Sequence, residues 1–346
     1  MPHRITIMPS GHIFTAQPGE TVLQAALREG FALPYGCRNG ACGTCKGKII
    51  QGTVDFGSYN DSALTETEKQ AGMALFCCAI PLSELVIESR EVGAIKDIQV
   101  KKLPCRVHKL ERVAPDVMII FLKLPANERL QFLAGQYIDI LMKDGKHRSF
   151  SLANAPHDDE LLQLHVRNYR GGAFAEHVFT QMKEKDILRF EGPLGTFFLR
   201  EDSDKPIIFV ASGTGFAPVK SILEHAFHVQ NVRGNERQMV LYWGNRTGPD
   251  LYMPNLPGSW QQEHSNFTFI PVLSEPLVTD NWNGRTGLVH QAVLQDFDDL
   301  SGYQVYACGT PAMVEAAHRE FITLRGLPED EFFSDAFTTS ASPTTP

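Results

Sequence analysis

Cys37, Cys42 and Cys45 stand at C-x4-C-x2-C spacing, and a Cys77-Cys78 pair follows them. Thiolates so spaced suit a two-iron, two-sulfide (2Fe–2S) cluster, and hence one-electron chemistry. The loop over residues 35–45 reads YGCRNGACGTC, with Gly36, Gly40 and Gly43 set among small or polar side chains. A cluster with bridging sulfides needs backbone wrapped closely around it and amides aimed at sulfur, and glycine reaches the positive-φ conformations such a wrap requires. Zinc also accepts four thiolates. Zinc sites usually show two C-x2-C knuckles, however, and here only Cys42 and Cys45 form one. The expected metal ligands are therefore Cys37, Cys42, Cys45 and one of Cys77 and Cys78.

A second set of residues suits phosphates and flat rings. GTGFAP, residues 213–218, joins an apolar run to a helical pattern. Pro218 falls near the first helical turn, where its missing N–H costs least. Amides there, together with the helix dipole, suit a diphosphate. A Gly-x-Gly by itself is a tight turn, and its place after the first strand of a parallel sheet is what favours a dinucleotide. RSFS, residues 148–151, offers Arg148 for a phosphate, Phe150 to cover a ring and Ser151 to bond the ring's edge. Alone it is an ordinary turn. GGAFAEH, residues 171–177, reads as a helix start whose free N–H groups suit another diphosphate, or as a simple glycine turn.

These residues need three kinds of scaffold, and the chain supplies three textures. Its 346 residues, 43% hydrophobic and 21% charged, are those of a soluble multidomain protein. Residues 1–92 hold the cysteine loop, with helical spacing at VLQAAL (22–27), a capping box at Thr65 and Glu68, and strand-like LSELVIE (82–88). Residues 93–102 turn basic and lose periodicity, as a linker does. Residues 103–200 carry short alternating runs at 117–124, 136–141 and 162–167 separated by turn residues, which predicts a small antiparallel barrel. Residues 201–337 alternate strand and helix, with strands at 206–211, 238–243, 267–273 and 303–307, predicting a doubly wound parallel α/β layer. Residues 338–346, rich in Thr, Ser and Pro, read as a disordered tail.

Composition also excludes. The net charge is −8, and residues 201–346 carry 8 Lys/Arg against 18 Asp/Glu, a solvated acidic surface. No basic stripe suits nucleic acid. No apolar run reaches the length of a membrane span, and residues 1–15 resemble a first hairpin rather than a signal peptide. Seven cysteines, mostly committed to a cluster, argue against a disulfide framework and for the cytoplasm. A monomer is the default expectation.

The run Leu75-Phe76-Cys77 followed by a small residue, a Pro and a strand resembles plant-type ferredoxins. That resemblance implies Cys77 as the fourth ligand and Cys78 as a packed thiol, with Cys78 the alternative. Arg-x-aromatic-Ser, then GTGFAP, then Tyr242-Trp243-Gly244, then Cys308-Gly309-Thr310-Pro311 occur here in the order found in the ferredoxin–NAD(P)+ reductase superfamily. Nearly the whole chain is similar to that superfamily, with the ferredoxin module, a β-grasp fold, fused at the N-terminus. FFSDAF (332–337), the Cys77-Cys78 doublet and SLANAP (151–156) resemble the CDP-6-deoxy-delta-3,4-glucoseen reductases in particular, and oxygenase reductases share the domain order.

By position, the resemblance implies an FAD site at Arg148, Phe150, Ser151 and the amides of Gly171, Gly172, Ala173, Phe174 and Ala175. It implies NADH contacts from Gly213, Thr214, Gly215 and Pro218. Cys308 and Gly309 would lie near the nicotinamide, while Asp335 and Phe337 would close the flavin site. Ser151, Cys308 and Asp335 are the expected catalytic residues. The family often has Tyr at Phe150 and Ser or Thr at Ala175, so diphosphate binding here must rest more on backbone amides. Arg246, after Asn245, suits a 2′-phosphate or is a surface arginine, and the resemblance favours NADH over NADPH. The implied activity is an NAD(P)H-dependent electron-transfer reductase, with nicotinamide, FAD and cluster acting in series. Electrons would leave near residues 38–41 for a partner protein, either an iron–sulfur sugar dehydratase using pyridoxamine phosphate or an oxygenase component.

Overall fold

Ile5 and Ile7 are fully buried between more exposed neighbours, the alternation of a strand with one face on a core. They build β1 (His3–Met8), which forms a hairpin with β2 (Ile13–Ala16). The computed structural model describes residues 1–92, 98–169, 172–234 and 236–338, so Gly171, half of the expected linker and residues 339–346 lie outside it. The chain divides into two compact units, one of residues 1–98 with Phe337 onward, the other of residues 99–336.

In the first unit α1 (Val22–Arg28) starts at Thr21, whose side chain accepts from the Gln24 amide in a reciprocal capping box. Val22, Leu23, Ala25 and Ala26 form its buried face. Then come β3 (Lys46–Gln51), β4 (Val54–Asp55), α2 (Glu66–Gln70), β5 (Met73–Leu75), β6 (Ile80–Pro81) and β7 (Leu85–Glu88). The capping box expected at Thr65 and Glu68 starts α2. The main sheet runs β2-β1-β7-β3-β5, with β1 and β7 parallel at its centre. This is the β-grasp layout.

The second unit opens with a long strand, β8 (Lys101–Ala114), then β9 (Val117–Lys123), β10 (Tyr137–Leu141), β11 (His147–Ser151), β12 (Leu162–Arg167), α3 (Ala173–Thr180) and β13 (Ile187–Leu194). β8 begins inside the stretch expected as linker, because Lys101 and Lys102 pair with Gly192 and Glu191 of β13. All pairings are antiparallel, in the order β11-β10-β13-β8-β9-β12, and a Leu152–Leu164 bridge joins the two edges into a barrel. Ile120, Leu122, Ile138, Ile140, Leu164 and Phe190 fill it.

An all-parallel sheet follows, ordered β17-β16-β15-β14-β18-β19. Its elements are β14 (Ile207–Ser212), α4 (Phe216–Arg233), β15 (Met239–Asn245), α5 (Asn255–Glu263), β16 (Phe267–Leu273), β17 (Arg285–Thr286), α6 (Val289–Asp296), β18 (Gln304–Gly309), α7 (Pro311–Arg325) and β19 (Phe332–Ala336). The central strands are continuous buried runs, as expected where helices cover both faces. From β14 the chain winds one way to β17, then returns to the other side of β14 as β18. The strand order therefore reverses between β14 and β18, the crevice where such sheets hold ligands.

Barrel and parallel sheet meet through buried polar bonds. Lys220 Nζ donates to the carbonyl of Ala153 and to Gln163 Oε1, both at 3.1 Å, and pairs with Glu224 at 2.8 Å. Ser221 Oγ donates to the Asn154 carbonyl at 2.7 Å. A buried ammonium is tolerable only when its donors are so satisfied.

Candidate redox cofactor sites

The cysteine loop lies between α1 and β3, and the second cysteine pair follows β5. A backbone bond from the Phe76 amide to the Cys45 carbonyl at 3.0 Å ties these segments together, and another from the Asn60 amide to the Gly40 carbonyl at 3.0 Å ties the loop to the stretch between β4 and α2. Positive φ occurs at Gly40 and Gly43 as anticipated, but the third such residue is Arg38 (φ 58) rather than Gly36. A Cβ on Gly40 would sit 2.8 Å from both Cys78 Sγ and Tyr59 Cβ, so only glycine fits there.

Amides and thiols converge within this loop. The Ala41 amide donates to Cys37 Sγ and the Cys37 amide to Cys42 Sγ, both at 3.4 Å. Hydrogen bonds from the Cys45 thiol, then the Cys78 thiol, hold Cys77 far below the usual thiol range, and the Gly40 amide assists. The Cys42 thiol lowers Cys37 in the same way. The partners Cys42 and Cys45 are pushed up, chiefly by those same bonds and by burial. Cys78 is also pushed up, first by its bond to Cys77. Five converging thiols, amides aimed at two of the sulfurs and a position at Gly40 that admits no side chain fit a thiolate-bound cluster.

On the barrel, β11 carries three of the expected flavin residues. Ser151 is buried and faces Tyr137 across the β10–β11 ladder. The Phe150 ring lies 5.1 Å from that of Phe174, so Phe174 itself is core and only its amide can serve a cofactor. Arg148 is half-buried, its Nη1 donating to the His147 carbonyl at 2.8 Å. No side chain caps α3 at Gly172. The first-turn amides, those of Ala173, Phe174 and Ala175, have no partner within the helix and suit an anionic diphosphate. These features fit FAD.

The expected nucleotide loop is a 3-10 turn, Gly213–Gly215, leading directly into α4. Thr214 is buried, and Pro218 stands in the first turn of α4. Trp243 Nε1 donates to the Gly213 carbonyl at 2.9 Å, and Phe216 stacks on Trp243 at 4.0 Å. Gly309 abuts Ser212, whose Oγ accepts from the Thr310 amide at 3.0 Å. At the carboxyl end of β15, both amide atoms of Asn245 are buried without a hydrogen-bond partner among the described residues. An orphaned buried amide beside a glycine-lined crevice fits a nucleotide that would satisfy it.

Cys308 and Asp335 are neighbours across the β18–β19 ladder. Burial, and secondarily Asp335, push the Cys308 thiol well up, which favours its protonated form. Its side chain is fully buried, and its carbonyl packs against Gly215. Phe337 is half-buried just beyond β19.

Arg167 escaped the sequence reading. At the end of β12 it reaches from the barrel to the nucleotide loop, and a Cβ on Gly213 would lie 3.5 Å from its Nη1. Its Nε lies 3.3 Å from Asp116 Oδ2, and its Nη2 donates to the Asp250 carbonyl at 3.3 Å. His165, two residues earlier, shares a 2.8 Å hydrogen bond with Tyr252. The only sequence signal was a His-x-Arg at a strand end just before the Gly171-Gly172 pair.

Comparisons with known proteins agree with this layout. Residues 5–82 match a family described as 2Fe-2S iron-sulfur cluster binding domain, residues 104–199 an oxidoreductase FAD-binding domain, and residues 209–319 an oxidoreductase NAD-binding domain. A CDP-6-deoxy-L-threo-D-glycero-4-hexulose-3-dehydrase reductase of Yersinia pseudotuberculosis is 42% identical over 97% of this chain and 98% of its own length. The reductase component DmpP of a phenol 2-monooxygenase from Pseudomonas is 35% identical over 99% of this chain and 96% of its own. Among solved structures, the Amycolatopsis cytochrome P450 reductase GcoB superposes with a TM-score of 0.77 at 31% identity, covering 98% of this chain and all of that one. The chain belongs to the ferredoxin–NAD(P)+ reductase superfamily, in the branch whose members carry their own 2Fe–2S ferredoxin domain, and is an NAD(P)H-dependent iron–sulfur flavoprotein oxidoreductase.

Proposed function

We propose that this reductase draws on NADH and delivers single electrons to an iron–sulfur, pyridoxamine-phosphate-dependent sugar dehydratase in deoxysugar synthesis. The observation that carries this reading is the 42% identity, end to end, to a reductase named for a hexulose-3-dehydrase. When bound, FAD and the cluster supply the conversion from a two-electron hydride donor to one-electron transfer.

The chain's residues divide the work as follows. Cys37, Cys42, Cys45 and Cys77 would hold the irons; the bond between the Cys77 and Cys45 thiols and the deeper burial of Cys77 support Cys77 over Cys78. Arg148, Phe150, Ser151 and the amides of residues 171–175 seat the flavin. Gly213, Thr214, Gly215 and Pro218 seat the nucleotide diphosphate, assisted by Arg167. Cys308 and Gly309 would lie near the nicotinamide, with Asp335 beside Cys308 on the neighbouring strand. Ser151 would offer its hydroxyl to the edge of the flavin ring. The functional division follows, with residues 1–92 for the cluster, 103–200 for FAD and 201–337 for the nucleotide. Seven cysteines free of disulfides support a reducing, cytoplasmic setting. Among the described residues, no helix is long and apolar enough to cross a membrane.

A second reading is favoured by the phenol 2-monooxygenase and P450 reductase likenesses, in which the acceptor is an oxygenase component. Mixing the purified reductase and NADH, without oxygen, with a dehydratase of the proposed class or with an oxygenase component separates them. Faster reduction of the dehydratase supports the first reading, and reduction of the oxygenase alone supports the second.

A further inference from the structure

We propose that Asp139, His147 and Glu191 form a site for a divalent transition-metal ion, best matched by Zn2+, on the barrel and separate from the three cofactor sites. The register brings them together. Asp139 on β10 lies opposite Ser149 of β11 on one side and Glu191 of β13 on the other. His147, two residues before Ser149, projects from the same face. One ligand atom from each of the three residues lies within 4.8 Å of the other two.

Two quantities favour an ion over an ordinary ion pair. His147 Nδ1 is 3.8 Å from Asp139 Oδ2. That is too long for a hydrogen bond. It is close to the separation of about 3.4 Å between two ligands that each stand about 2.1 Å from a tetrahedral zinc. Carboxylates directly opposite one another on neighbouring strands repel, and Asp139 is only 4% exposed, which limits screening by water. Lys102 offsets Glu191 across 3.9 Å, but its side chain is 62% exposed and free to swing aside. Ser149 Oγ donates to Asp139 Oδ1 at 2.6 Å, the kind of supporting bond that orients a metal-binding carboxylate. Two carboxylates and an imidazole form a mixed oxygen–nitrogen set suited to Zn2+, with water completing the shell.

The location gives the ion a structural consequence. His147 precedes Arg148, and an ion joining β10, β11 and β13 would brace the strand that also carries Phe150 and Ser151. The test uses holoprotein stripped of loose metal by a chelator, its visible flavin and cluster absorbance intact, titrated calorimetrically with Zn2+. One Zn2+ per chain is expected, with affinity falling about tenfold or more in His147→Ala and in Glu191→Gln while the visible spectrum stays unchanged. His147 is exposed, so its replacement leaves the barrel core untouched. The proposal is overturned if wild type takes up no zinc, if both variants bind it as wild type does, or if uptake tracks iron loss. Loss of binding in His157→Ala instead would place the ion at the His157–His228 stack and overturn it equally.

Discussion

A Cβ built on Gly215 would stand 2.2 Å from the carbonyl oxygen of Cys308. The nucleotide loop after β14 and the end of β18 therefore touch backbone to backbone at the point where the sheet order reverses. Gly309 returns the contact, since a Cβ there would meet Ser212 Oγ at 2.1 Å. The close approach is possible because Gly215 and Gly309 carry no side chain at this junction. Gly215→Ala must push the two apart, at about 1–3 kcal/mol. Its KM for NADH should rise about tenfold or more with flavin and cluster absorbance retained. Steady-state kinetics with a dye acceptor checks this, and an unchanged KM would contradict the close packing.

Cys77 and Cys78 are adjacent but stand differently. Cys77 bonds to the Cys45 thiol, while Cys78 Sγ lies against the space where a Gly40 side chain would be. Cys77→Ser should abolish the cluster's visible absorbance and leave the flavin bands. Cys78→Ser should keep both. Iron and sulfide analysis of the two variants decides the matter, and the reverse pattern would exchange the assignments.

His165 supplies a pH dependence. Burial, then the Lys220 charge, hold its pKa down at about 3, against about 6.5 in an unfolded chain. A base depressed in this way binds more protons unfolded than folded between those values. Its contribution is therefore full above the unfolded pKa and is lost as pH falls toward the folded one. Between pH 7 and pH 5 the loss amounts to about 2 kcal/mol. Urea unfolding at the two pH values should show a smaller drop for His165→Gln than for wild type. Parallel losses would remove His165 as the source.

Arg167 brings a cation from the barrel to the nucleotide loop. Losing a charge-assisted hydrogen bond costs about 1.5–3 kcal/mol. Arg167→Gln should therefore weaken NAD+ binding roughly tenfold to a hundredfold, read by titration calorimetry on flavin-loaded protein. Equal affinities would show that the guanidinium serves only Asp116 and the Asp250 carbonyl.

Much of this was legible before the fold because local chemistry decided it. The capping box at Thr65 and Glu68, the buried run of β14, and the glycine turn at Gly213–Gly215 depend on near neighbours in the chain. Residues placed by long-range docking were not legible. Arg167 meets Gly213 only because the barrel packs on the parallel sheet, and Asn245 is orphaned only because burial around it is complete. Arg38 takes a left-handed conformation in the cysteine loop and Gly36 does not, since glycine marks where positive φ is easy rather than every place it occurs. Register likewise brought Asp139, His147 and Glu191 together from strands whose order the sequence did not disclose.

The most direct measurement is anaerobic titration of the purified chain with NADH, followed by visible absorbance and by electron paramagnetic resonance. Bleaching of both flavin and cluster, with the cluster signal absent from Cys77→Ser while its flavin still bleaches, is the predicted result. Reduction of the flavin with the wild-type cluster left oxidised would contradict the coupling of the three sites.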